Sequence, residues 1–219
     1  MLGSVAMNAD AHAVLDFWFG ELSDGFARDE VRRAWFDADA ARDEEIRGRF
    51  APLLEAAARG GLVAWRDAAH TALALIIVCD QFSRQIHRGR AAAFATDPLA
   101  LEIARDLVAR GADRELAFDE RVFVYLPFEH AESRLDQHTC VGLMMALRDG
   151  TPAGRRHLTG VFLQHAQQHR DIVLRFGRFP HRNAALGRHS SAAELAFLAG
   201  AGDFGQTPRA AKRDQDSRA

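Results

Sequence analysis

The run from Ala72 to Cys79 is apolar on every side of a helix. A helix with no polar face has to be surrounded by other elements, so this one belongs at the centre of the fold. It is far short of the roughly 20 apolar residues that cross a bilayer. The run then turns polar within one residue, as Asp80-Gln81-Phe82-Ser83-Arg84. At helical spacing Asp80, Ser83, Arg84 and His87 fall on one side, following Leu73 and Ile76. Charges at the end of a buried helix must be paired or must meet a ligand.

The rest of the chain repeats the helical period, with no convincing two-residue alternation. Asp10 reads as the cap of a first helix that Gly20 closes, and residues 23–28 read as a loop. One helix is expected from Asp29 to Ala58, and the apolar run is expected inside a helix over 62–87. Asp97-Pro98 pairs a capping carboxylate with proline at the first helical position, opening a helix that Gly111 ends. A short helix from Phe118 is expected to stop at Tyr125, ahead of Pro127. Ser133 opens the next, which ends near Gly150; Thr151-Pro152 opens another, closed by Gly177. Ser191 and Glu194 have the spacing of a capping box for a last helix to Ala199. The expected fold is all-α, with antiparallel helix pairs in a bundle or an α-α superhelix. It is read as a single domain over 10–200, followed by a polar, disordered tail over 202–219.

Charge and cysteine usage narrow the functional classes. A formal net charge of -2 gives no basic face for counterion release, so no nucleic-acid partner is expected. The first seven residues lack the basic leader and apolar core of a secretory signal. Cys79 and Cys140 lie far apart in apolar helical contexts, which suits free thiols in a reducing cytoplasm. No membrane association is expected. The chain has no glycine-rich phosphate loop, no Gly-x-Ser-x-Gly elbow and no Cys-x-x-Cys pair, so no cofactor is assigned.

Three stretches could carry chemistry. His165 and His169, four residues apart, fall on the face that carries Phe162, Ile172 and Val173, where each imidazole needs a partner. They could be satisfied core histidines, a general base, or a pair of metal ligands; alanine at 166 rules out a His-Glu-x-x-His motif, and no metal is assigned. Tyr125-Leu126-Pro127-Phe128-Glu129-His130-Ala131-Glu132 sets an imidazole beside two carboxylates. Phe176-Gly177-Arg178-Phe179-Pro180-His181-Arg182-Asn183 follows the strongest amphipathic helix and is unusually basic and aromatic. Guanidinium groups take phosphate or carboxylate bidentately, and they equally pin loops by pairing with core carboxylates.

These three polar blocks, with Leu186-Gly187-Arg188, resemble the signature blocks of a family of uncharacterised proteins, domain of unknown function family 924. Ser83 stands where that family commonly has proline, and Ala131 where a serine is expected. The resemblance runs from about Val14 to Leu198 and implies a helical fold like the tetratricopeptide-repeat superfamily, with no established reaction.

Two uses compete. The first is a site for an anionic small molecule that could be catalytic through His130, His169 and His181, with Asp80, Arg84, Glu132, Arg178 and Arg182 as binding groups. The second is a protein-interaction scaffold whose Arg/His/Asp cluster is structural. Whether the protein is an enzyme is left open.

Overall fold

A computed structural model describes residues 8–201. The first seven residues and the polar stretch 202–219 lie outside them. The all-α expectation holds: the described residues form helices joined by turns, with one isolated bridge between Ser23 and Phe26.

Several boundaries differ from the sequence expectation, each for a local reason. Helix α1 (Ala9–Phe19) is capped by Asn8, whose side chain accepts from the Asp10 N–H; Asp10 sits in the first turn instead. The helix expected from Asp29 to Ala58 is two, α2 (Asp29–Ala34) and α3 (Ala40–Ala58). Asp39 makes the break, because its carboxylate accepts from the Ala41 and Arg42 N–H groups and starts a new helix. Residues 63–66 form a separate 3-10 turn, and the central helix starts only at Ala69. That helix, α4 (Ala69–Ile76), passes into a π-helical segment (Ile77–Phe82) and leaves it as α5 (Ser83–Ile86).

The second half keeps its expected order. Helix α6 (Asp97–Arg110) ends at Gly111, whose φ of 69° is the left-handed conformation glycine takes without strain. Helix α7 (Phe118–His130) does not stop before Pro127 but runs through it. Nearly every residue of α7 from Asp119 to Glu129 is buried, and that packing outweighs the roughly 3 kcal/mol an interior proline costs. Ser133 caps α8 (Arg134–Gly150), and α9 (Arg156–Phe176) follows a short 3-10 turn. After Gly177 comes one further 3-10 turn (Pro180–Arg182), then α10 (Ala192–Ala201). The capping box is present: Glu194 accepts from the Ser191 N–H, and the Ser191 hydroxyl accepts from the Glu194 N–H.

Helix α4 and its π segment sit at the centre, packed by α1, α3, α6 and α7. Helices α7, α8 and α9 pack in succession, and the short link between α8 and α9 makes that pair antiparallel. Phe123 on α7 lies at the aromatic centre, edge-on to Trp18 (5.4 Å), Phe19 (5.4 Å) and Trp35 (4.8 Å). Cys79 and Cys140 are free and buried. Among the described residues no helix is long and apolar enough to cross a membrane.

Phe123→Ala should cost about 3–5 kcal/mol of unfolding free energy. Leu135→Ala, on the exposed face of α8, should stay within about 0.5 kcal/mol of wild type. Urea unfolding of both variants checks the placement of this core.

Candidate functional site

The π segment carries a carboxylate into the buried centre of the fold. Its extra residue per turn shifts every side chain after Ile77 around the axis, and such segments often mark functional positions. The Thr96 hydroxyl donates to the Cys79 carbonyl at 2.6 Å and so supports the widened turn. Asp80, at the middle of the segment, has no exposed surface.

Three groups hold that carboxylate. His130 Nδ1 lies 2.8 and 3.0 Å from its two oxygens, Gln81 donates to it, and Arg84 approaches Oδ1 at 3.1 Å. Burial alone would push Asp80 up; the Arg84 guanidinium and the His130 contact outweigh it and hold Asp80 well below the carboxylate range. Arg84 also donates to both oxygens of Asp97, at 2.9 and 3.0 Å. Asp97 is thus not a helix cap, as its place before Pro98 suggested, but a second anchor for the buried arginine.

Asp97 also receives Arg182, at 3.3 Å. Arg182 is 6% exposed, and its guanidinium lies 4.7 Å from the ring centres of both Phe94 and Phe179. Burial, with Arg84 close by, pushes Arg182 down to about 10, so it still carries its charge at neutral pH. Its Nε is buried and makes no hydrogen bond among the described residues.

The histidines around these arginines are neutral. Burial first, and then Arg84, pushes His130 down to about 4. Since Arg84 already balances Asp80, His130 donates from Nδ1 and presents Nε2 as its acceptor nitrogen. His169 Nδ1 lies 2.9 Å from the His165 carbonyl and 3.2 Å from Glu129 Oε1, which fixes the same tautomer. Burial and Arg182 push His181 down to about 3. Glu129 is 4% exposed, and burial followed by the nearby Asp80 charge pushes it up to about 8, so it is mostly protonated at pH 7. Its Oε2 has no hydrogen-bond partner among the described residues.

A cavity of about 330 Å³ joins these groups, within the range of small-molecule sites. Arg84, Glu129, His130, His169, His181 and Arg182 line it. Asp80 lies behind His130 and does not reach the surface. His165, read as a buried member of the α9 stripe, is exposed and stands on the cavity rim; the buried stripe runs instead through Phe162, Ala166 and Val173. Glu132 and Arg178 are not brought to the cavity. Glu132 accepts from Arg188 at 2.6 and 2.9 Å and from the Phe179 N–H at 2.8 Å. Arg178 pairs with Glu194 at 2.7 and 2.9 Å. Together these pairs pin the segment after α9 and so hold His181 and Arg182 in place. Among the described residues no three His, Cys, Asp or Glu side chains are placed to hold one metal ion.

The model of a family of bacterial proteins of unknown function, DUF924, matches residues 14–202. The chain belongs to that family. It is similar to the solved structure of a protein of unknown function, ATU0120, from Agrobacterium tumefaciens. The two are 40% identical and align with a TM-score of 0.70, over 86% of this chain and 96% of that one. No curated protein matches. The departures from the family blocks have structural uses here: the Ser83 hydroxyl donates to the Ala92 and Ala93 carbonyls, and Ala131 ends α7.

The sequence analysis does not include Asp97, which reads as a cap, or Glu129, one of the two carboxylates beside His130, among the site residues. Only the run of Glu129 into an otherwise buried α7 could have marked it.

These shifts predict a pH profile. His130 and His181 are depressed from 6.5, so their contribution is full above about 6.5 and is lost as pH falls. Glu129 is raised from 4.5, so its contribution is full below 4.5 and is lost as pH rises toward 8. Between pH 6.5 and 8 only the second effect remains of these three. Wild type should lose stability over that window, and Glu129→Gln should flatten the decline. Urea midpoints at the two pH values measure it, and an equal decline in both proteins would refute the assignment.

Proposed function

We propose that the cavity binds a small anionic molecule, a phosphate or a carboxylate, and is equipped for general acid–base chemistry on it. The observation that carries this reading is Arg182. A buried guanidinium, in contact with two rings and holding one ion pair, lines the cavity. Buried charges are costly unless fully paired, and a guanidinium that lines a cavity with a single ion pair suits an anionic ligand. A guanidinium edge is shaped for an oxyanion.

The neighbouring groups suit proton transfer. His130, oriented from behind by Asp80, offers Nε2 as a base, the arrangement in which a carboxylate fixes the working tautomer. Protonated Glu129 and the guanidinium groups supply donors. His169 and His181 complete the wall. A base and an acid of this kind in one cavity fit addition, hydrolysis or isomerisation of an anionic substrate. The buried free thiols are in keeping with a cytoplasmic protein.

The scaffold reading has less behind it. Among the described residues the large exposed apolar side chains are spread over the molecule, with Val63 before α4, Leu135 and Met145 on α8, Val161 and Leu174 on α9, and Leu195 on α10.

Titration calorimetry with inorganic phosphate and with acetate tests the proposal. Saturable binding of at least one is expected. Arg182→Met should weaken it tenfold or more, the loss expected for a charge-assisted hydrogen bond. His169→Ala should weaken it as well. No saturable binding of either anion to the wild-type protein would overturn the proposal.

A further inference from the structure

The cavity has a second, chemically different wall. Trp35 and Phe36, just after α2, and Phe162 on α9 all line it. Their rings form one connected surface, with Phe36 centred 6.5 Å from Trp35 and 6.0 Å from Phe162. Phe36 is 53% exposed although its neighbour Trp35 is buried. An exposed aromatic ring on the wall of a polar cavity is a surface that a bound apolar group would cover.

Size points the same way. A volume of about 330 Å³ is within the range of sites for small organic molecules. A bare phosphate or acetate fills only part of that space. The guanidinium groups of Arg84 and Arg182 belong to elements other than those that carry the aromatic wall. A ligand that uses both walls therefore has an anionic end and an apolar body.

We infer that the ligand is amphiphilic: one phosphate or carboxylate group, held by Arg182, joined to a single aromatic ring or branched apolar body packed on Phe36 and Phe162. This rests on the anion site proposed above and adds the substrate's second half. It separates the site from one built for inorganic phosphate or for a small polar acid.

Calorimetry on the full chain tests it with matched probes: phosphate against phenyl phosphate, and acetate against phenylacetate. The ring-bearing member of at least one pair should bind about tenfold more tightly, the order expected when a ring face is covered. Whichever pair shows the gain identifies the anion class. In Phe36→Ala the gain should shrink to about threefold or less. Should that variant fail to fold, the paired comparison on the wild-type protein still decides. Equal affinity within both pairs would overturn the inference and leave the anion site standing. No saturable binding of either simple anion would overturn the anion site, and this inference with it. Equally tight binding of benzyl alcohol, which has the ring and no charge, would show that the anionic end is not recognised.

Discussion

A carboxylate cut off from water must be neutralised by its neighbours, and Asp80 imposes that demand on every helix around it. An uncompensated charge at such a depth would cost several kcal/mol. Arg84 and His130 meet the requirement directly, and each carries a requirement of its own. Arg84 draws in Asp97 at the start of α6. Asp97 draws in Arg182 from the turn after α9. One buried charge thus ties the centre of the fold to its C-terminal segment.

That chain of pairing ends unevenly. Arg84 is satisfied on both sides, whereas Arg182 has one partner and two aromatic faces. A fold that needed only a lock would gain from closing the last guanidinium edge. A guanidinium with one ion pair, lining a cavity beside neutral imidazoles and a protonated carboxyl, suits a binding site. The outer pairs, Glu132 with Arg188 and Arg178 with Glu194, are closed and hold the loop from outside.

Much of this was legible in the chain. The all-round apolar run marked the centre, Gly111 and Gly177 marked helix ends, and Ser191 with Glu194 marked the last helix start. Those signals are local, and local geometry decides them. The misses arose where distant contacts overrode local preference. Pro127 reads as a stop, yet burial of α7 carries the helix through it and brings Glu129 and His130 to the cavity. Asp97 reads as a cap until Arg84 claims it. The π segment could not be read at all, since its apolar residues fit an ordinary helix equally well; the widened turn also invalidates simple angular counting around Asp80. His165 was misplaced because a stripe drawn through Phe162 and Ile172 can be centred on either side of them, and Ala166 decides which.

The central claim is that Arg182 is kept as an arginine for a ligand, beyond its single ion pair with Asp97. Urea unfolding of Arg182→Met measures this directly, because methionine keeps an apolar stem between Phe94 and Phe179 while Arg84 still pairs with Asp97. If the arginine is held for a ligand, the ligand-free variant should equal wild type or exceed it by about 1–4 kcal/mol, as when buried charges give way to hydrocarbon. A loss of about 3–5 kcal/mol, the cost of breaking a structural buried pair, would contradict the account.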